Sequence, residues 1–369
     1  MAEQYIDYTK AKEMLSSLAK NSEIEVFGPV KKGNDTFISK LNQNSELCFD
    51  YFITVNSIKE ALLPRFEPIL KYKINHEGVT LEDLPPLKPL VVFGGHPCDA
   101  SSLPLMKKLF NWDFKDEFYL KRLDNVVVIT IACDEMDENC FCTSVGGSPR
   151  NENGSDILLE RVCSTGWKAK AISEKGKKFI QENSNFFNAQ LTPEKGYPKI
   201  AEKDIPVAFD TKKVKNWIEN NFENPLWEEL ASNCWSCAAC TYVCPTCHCF
   251  DITDDASMWK GVSTKNWDAC TLPCFTKHAS GHNPRSQSYE RYRQRISHKY
   301  SYYIDLFDQV SCTGCGRCSR VCRAGVNILD ILKRINKEVN DGITKNKLTQ
   351  IINYASDEDT YIRKTGYLA

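Results

Sequence analysis

The sequence predicts an α/β N-terminal domain followed by a smaller α+β domain that carries a long insertion. Three observations predict it. Two continuous apolar runs, Pro89 to Gly95 (PLVVFGG) and Asn125 to Cys133 (NVVVITIAC), read as strands covered on both faces. Cys234, Cys237, Cys240 and Cys244 are spaced C-x2-C-x2-C-x3-C-P, and Cys312, Cys315, Cys318 and Cys322 repeat that spacing with Arg323 in place of the proline. This is the ligand run of a bacterial two-cluster ferredoxin, in which three thiolates hold one 4Fe–4S cluster and the fourth reaches across to the other. The second domain is therefore expected to be ferredoxin-like, with Cys234, Cys237, Cys240 and Cys322 on one cluster and Cys312, Cys315, Cys318 and Cys244 on the second. Zinc sites favour paired C-x2-C knuckles, so two such runs read as iron and one-electron chemistry.

Residues 1–220 are expected to form the α/β domain. Its two strands flank a short helical pattern, Ala100 to Phe110 (ASSLPLMKKLF), broken by Pro104, which makes a βαβ unit. Leu81 to Pro89, with three prolines, reads as a loop. Residues 165–205 alternate charged and apolar positions, as surface helix and strand do, and Asp210 to Asn224 reads as a helix leading into the cysteine-rich part. The ferredoxin-like domain covers 225–335, with an insert at 247–311 that must leave the cluster fold and return. Val326 to Val339 places Val326, Ile328, Leu329, Leu332 and Ile335 at helical spacing, an amphipathic helix for the cluster core. Residues 336–369 read as a polar C-terminal tail.

Ten further cysteines remain among the eighteen. Cys98 (in GGHPCD) and Cys133 follow the ends of the two strands, and Cys140 and Cys142 lie in the next loop. Ligands of open α/β sheets gather beyond the carboxyl ends of strands, so these four are a candidate third 4Fe–4S site, against the alternative of cysteines that fill core. Cys247, Cys249 and Cys270 in the insert are uncertain additional ligands, Cys274 has no assigned role, and Cys48 and Cys163 read as isolated thiols. His96 and His248, beside cysteines, are candidate ligands or tuning donors. Residues 282–299 (HNPRSQSYERYRQRISHK) carry four arginines, a lysine and two tyrosines. They read as a solvated helix face, an anion grip or a docking patch for an acidic partner.

Composition narrows the function classes. The 369 residues are 42% hydrophobic, and 47 basic against 48 acidic side chains leave a net charge of −1, with no field that favours nucleic acid or membrane. The N-terminus has no apolar h-region and no apolar run is long enough to span a bilayer, so a cytoplasmic protein is expected. Cysteine-rich chains of that compartment bind metal rather than form disulfides, and such clusters suit an anaerobe. No G-x-G-x-x-G or P-loop follows a strand. Without an evident place to turn over a substrate, the chain reads as a non-catalytic electron conduit whose terminals lie on other chains.

The motifs GGHPCD (94–99), CDEMDENCFCTS (133–144), CWSCAACTYVCPTCHCF (234–250), WDAC (267–270), SGHNPR (280–285) and CTGCGRCSRVC (312–322) resemble, in order and spacing, those of one family. It comprises the iron–sulfur beta subunit of cytoplasmic sulfhydrogenases and the related A subunit of anaerobic sulfite reductase. The resemblance covers about 90 to 335. It implies an electron-transfer subunit of an oxidoreductase complex, between an FAD- and NAD(P)H-binding subunit (with a possible 2Fe–2S centre) and a catalytic hydrogenase or sulfite reductase subunit. It also implies that the eight ferredoxin-type cysteines are ligands, and it strengthens the set Cys98, Cys133, Cys140 and Cys142. Cys274 stands outside the pattern, and Arg323 adds positive charge beside a cluster, which favours its reduced form. A free-standing carrier or a redox-sensing iron–sulfur protein is the alternative of another class.

Overall fold

The computed structural model describes residues 3–340 apart from 198 and 201. A seven-stranded sheet runs in the order β1-β9-β8-β7-β6-β2-β3. Its strands are β1 (Gln4–Asp7), β2 (Glu25–Lys32), β3 (Asp35–Lys40), β6 (Leu90–Gly95), β7 (Val126–Ile131), β8 (Ile157–Cys163) and β9 (Gly166–Ala171). The central pairs β2/β6, β6/β7 and β7/β8 are parallel, and antiparallel strands close both edges. The two apolar runs thus become neighbouring central strands. Their alternation sends Val91, Phe93, Ile129 and Ile131 to one face, against Met14 and Leu15 of α1 (Tyr8–Lys20) and Phe179 and Ile180 of α6 (Glu174–Glu182). Leu90, Val92, Val126 and Val128 go to the other, against α4 (Ser102–Phe110) and α5 (Glu117–Asn125). Burial of both faces is why the pattern is a continuous apolar run.

The crossover between β6 and β7 begins with one turn, α3 (Pro97–Ala100). Pro104 has no N–H to offer the Ala100 carbonyl, so α3 closes there and α4 starts afresh at Ser102, with the proline in its first turn. This break leaves α3 at the carboxyl end of β6, where it presents Cys98.

The insert departs further from a compact ferredoxin. Strands β10 (Phe250–Ser257) and β11 (Lys260–Trp267) form a hairpin that pairs with β4 (Phe66–Asn75), itself paired with β5 (Gly78–Glu82). This four-stranded sheet draws strands from both sides of the boundary expected near 220–225. It is rooted on α5 and its N-cap by a buried charge cluster. Lys265 lies 2.8 Å from both Glu67 and Asp116, and Arg122 also pairs with Glu67. Neither sheet strand of 66–82 was legible in the sequence, because Lys, Glu and apolar residues alternate on faces that are exposed at the sheet's far end.

The remaining helices pack round a third core. It takes Val214, Trp217 and Ile218 from α7 (Thr211–Asn220), Trp227 from α8 (Leu226–Ala231), Tyr292 and Ile296 from α10 (Ser288–Ser297), and Leu332 and Ile335 from α13 (Ile328–Asn340). Asp210 caps α7 as its side chain accepts from the Lys212 and Lys213 N–H groups. The helix expected from Val326 begins at Ile328. The first residues of the expected tail, 336–340, are the last turns of α13, and the rest of it, 341–369, lies outside the described residues. Among the described residues no helix is long and apolar enough to cross a membrane.

The basic segment 282–299 is exposed or half-buried up to Glu290, but from Arg291 on it turns inward instead of forming a solvated face or an outward patch. Arg291, Tyr292, Arg293, Arg295 and Ile296 are buried. The Arg291 guanidinium donates to the carbonyls of Thr271, Arg285 and Ser286 and to Ser236 Oγ. These carbonyls lie in the loop between β11 and α10, outside any helix or strand, and a five-donor guanidinium satisfies several at once. From α10 the chain passes through one π turn (His298–Tyr302) into α11 (Tyr303–Phe307). That turn buries Lys299, Tyr300 and Ser301 together, as π turns at functional positions commonly do.

Candidate metal centre

The two cysteine runs adopt one backbone conformation twice. In the first, Ser236 (φ 54°) and Ala238 (φ 64°) are left-handed; in the second, Gly314 (φ 66°) and Gly316 (φ 70°) occupy the equivalent positions. Each run then enters a single helical turn, α9 (Ala239–Tyr242) or α12 (Arg317–Arg320). Left-handed Ser and Ala each cost on the order of 1–2 kcal/mol, which is tolerated where the turn must wrap three sulfurs round one chamber. In the second run glycine serves a further purpose. A Cβ on Gly314 would stand 2.5 Å from Cys142 N and Cα, and one on Gly316 2.5 Å from the Asn139 carbonyl oxygen. The run therefore lies directly against the 139–142 loop, and Phe141 N–H donates to the Gly314 carbonyl (2.9 Å). Gly314→Ala is expected to push these loops apart at a cost of about 2–4 kcal/mol and to lower occupancy of both adjoining sites, read by iron content and denaturant midpoint.

The first set, site 1, lines one cavity: Cys234, Cys237 and Cys240 from the first run and Cys322 from the second, with Tyr292 and Trp235. Val326 N–H donates to Cys322 Sγ (3.3 Å). In site 2, Cys244 lies beside Cys312 and Cys318, and Cys318 interacts electrostatically with Cys244, Cys312 and Cys315. The Lys299 ammonium donates to Cys244 Sγ (3.4 Å), Thr246 Oγ1 (2.9 Å) and the Ser311 carbonyl (2.8 Å), which ties the Cys-Pro turn to the start of the second run. Site 3 is a cavity walled by Cys98, Cys133, Cys140 and Cys142 with Phe52, Ile53 and His96. All four cysteines of the third candidate set thus converge, although they come from two strand ends and a loop.

The three sets form one array. Cys315 of the second run also lines the cavity of site 3, and Cys318 also lines that of site 1. The cavities of sites 1 and 3 are alike in size, about 30 Å³ each. Among the described residues no three His, Cys, Asp or Glu side chains close on a single ion-sized point; the sulfurs wall chambers instead. All-thiol donor sets round a mostly apolar chamber fit an iron–sulfur cluster. Burial pushes the Cys142 thiol up to about 11 and the Cys318 thiol up to about 12, and raises Cys98 and Cys133 as well. These sulfurs ionise only where positive charge meets them, as iron would supply.

Cations that sequence reasoning missed reinforce this. Arg320 forks onto Asp137, and donates to the Cys315 carbonyl (2.6 Å) and to Cys140 Sγ (3.2 Å). Arg317, 1% exposed, donates to Asp99 Oδ2 (2.8 Å), the Thr54 carbonyl (2.8 Å) and Thr54 Oγ1 (3.1 Å). Both arginines lie inside the second cysteine run, a signal present in CGRCSR but unreadable without knowing what they face. Arg323 is exposed to solvent, so screening weakens its pull on the cluster.

His96 is buried, with Nδ1 2.9 Å from the Ile131 carbonyl and 3.8 Å from Cys133 Sγ. His248 Nδ1 lies 3.0 Å from the Thr246 carbonyl, and burial among aromatic rings drops it to about 3, a neutral packing residue. Cys247, Cys249 and Cys270 gather on the far side of Cys244. Interaction with Cys270 holds the Cys249 thiol below its ordinary value, and interaction with Cys244 pushes Cys247 up. Cys274 is exposed, Cys163 is buried at the end of β8, and Cys48 is half-buried; none of the three lines the cavities of sites 1 and 3.

Comparison with known proteins agrees with this chemistry. Residues 233–326 match the family described as a 4Fe-4S dicluster domain. The chain is 28% identical over 318 residues to Sulfhydrogenase 2 subunit beta of Pyrococcus furiosus, an alignment that covers 85% of this chain and 92% of that protein. No solved structure matches. Residues 233–326 thus carry a domain of the 4Fe-4S dicluster type, and over most of its length the chain is similar to the beta subunit of a sulfhydrogenase.

Proposed function

We propose that the chain is the electron-transfer subunit of a hydrogenase or sulfur-reducing complex, relaying electrons between a flavin- and NAD(P)H-binding subunit and a catalytic subunit. Three 4Fe–4S clusters would carry the electrons. Site 1 uses Cys234, Cys237, Cys240 and Cys322; site 2 uses Cys312, Cys315, Cys318 and Cys244; site 3 uses Cys98, Cys133, Cys140 and Cys142. The observation that carries this reading is the shared cysteines: Cys315 borders sites 2 and 3, and Cys318 borders sites 1 and 2. Such an array is a path with two ends. Each bound cluster supplies a one-electron carrier whose potential follows from hydrogen bonds, charge and burial. The chain's own part is to hold the sulfurs, donate N–H and guanidinium hydrogen bonds to them, and keep the middle dry.

Both ends reach the surface. Beside site 1, Cys237 is exposed and Trp235 is 69% exposed; beside site 3, Met136 is 40% exposed. A terminal docking on either face would meet a cluster without crossing protein. The named relative favours a hydrogenase-type catalytic partner over a sulfite reductase.

Iron and acid-labile sulfide on protein purified without oxygen test the reading. Cys98→Ser/Cys133→Ser is expected to lose about four irons and four sulfides per chain relative to the parent, one cubane's worth. Unchanged iron in that variant would remove site 3 from the path and leave a two-cluster protein.

A further inference from the structure

We propose that Cys247, Cys249 and Cys270 bind a further iron–sulfur centre, beside site 2 and at the root of the β10–β11 hairpin. The relay described above leaves these three thiols unused. They arrive from two segments of chain. Cys247 and Cys249 precede β10, Cys270 follows β11, and the hairpin ladder extends one step past its last pair, as Asp268 N–H donates to the Cys249 carbonyl (2.9 Å). A tightly paired hairpin root thus brings Cys249 and Cys270 together, within electrostatic reach of each other. Cys247 completes the group, within electrostatic reach of Cys270 and in contact with Cys244 of site 2.

A second, independent observation points at the same place. Lys59 comes from α2 (Lys59–Leu62), far off in the chain, and is 6% exposed. Its ammonium donates to the carbonyls of Thr241 (3.2 Å) and Cys247 (3.0 Å) and lies 4.0 Å above the Trp267 ring. Among the described residues it pairs with no carboxylate. Lys299, equally buried, is accounted for by Cys244. Arg295, 2% exposed, donates to the Cys240 carbonyl, its Nε and Nη1 have no partner, and its electrostatic neighbours are Cys240 first, then Cys247 and Cys318. Two carbonyls and an aromatic face do not neutralise a buried ammonium. An anionic thiolate-ligated centre held by Cys247, Cys249 and Cys270 supplies that charge, next to Cys244, the other thiol within electrostatic reach of Lys59. An all-thiol donor set beside the cysteines of site 2 suits iron–sulfur chemistry.

The test uses the full-length protein, purified with its iron under anaerobic conditions. Cys247→Ser/Cys249→Ser/Cys270→Ser is expected to contain about four irons and four sulfides fewer than the parent and to keep the remainder. Equal iron and sulfide in variant and parent would overturn the proposal, as would loss of zinc in place of iron. A second measurement needs no variant. Iodoacetamide should leave the three cysteines unlabelled in the loaded parent and label them once iron is chelated. Labelling in the loaded protein, or a Cys249–Cys270 disulfide in it, would also overturn the site. Failure here is separate from failure of the relay, which is read from Cys98→Ser/Cys133→Ser.

Discussion

Replacing Cys315 with serine is expected to remove about four irons per chain and to stop electron flow through the subunit, while sites 1 and 3 remain loaded. A serine hydroxyl is a hard ligand with a high pKa and substitutes poorly for thiolate on iron. Among the twelve cysteines of the array, Cys315 has a particular position. It belongs to the middle site, and its side chain also forms part of the wall of site 3. Loss of the middle site leaves the two outer sites without a carrier between them. The experiment is a two-ended one: dithionite should still reduce the remaining clusters, while reduction by NAD(P)H through the assembled complex no longer reaches the catalytic subunit. Wild-type transfer by a variant that lacks the middle cluster would show that electrons bypass site 2.

Arg317→Leu is expected to destabilise the protein by about 3–5 kcal/mol, the cost of removing one partner from a buried pair. Asp99 is fully buried, and its Oδ2 accepts from Arg317 Nη2 and from the His96 N–H. Without the guanidinium one carboxylate charge is stranded behind β6, and the Thr54 carbonyl loses its donor. The pair also has a mechanical role. Asp99 adjoins Cys98 on α3 and Arg317 adjoins Cys318 on α12, so this ion pair clamps site 3 to site 2. Iron bound by Cys98 and by Cys318 should therefore be the first to be lost. Arg317→Lys is not a rescue, because a single ammonium cannot reach Asp99 and Thr54 in fork geometry. Arg317→Leu/Asp99→Asn should recover part of the loss by removing the stranded charge. Denaturant midpoints of the loaded proteins give the comparison, and strictly additive effects of the two substitutions would rule out the coupling.

Local regularities were legible in the chain itself. The two central strands were visible because burial of both faces demands an unbroken apolar run, and α13 because its buried positions recur at helical spacing. The two ferredoxin-type runs were visible because wrapping three sulfurs round one chamber requires that spacing. The second run even carried its conformation in Gly314 and Gly316; the first hid the same conformation behind Ser236 and Ala238, which hold left-handed angles only because the surrounding turn imposes them.

The basic segment 282–299 shows the opposite case. Its composition is that of a surface patch, yet Arg291, Arg293, Arg295 and Lys299 turn inward, to carbonyls of neighbouring segments and to Cys244 Sγ. Spacing alone likewise does not tell that β10 and β11 pair with β4, that Lys59 reaches Cys247, or that Arg317 meets Asp99. By itself the sequence determined the kind of chemistry and named the candidate ligands, since thiol spacing is a local property of the chain. Only the tertiary structure decided which thiols adjoin, in what order the sites line up and which buried cations balance them, because those are contacts between segments far apart in sequence, chosen by packing and by the cost of leaving a buried charge unpaired.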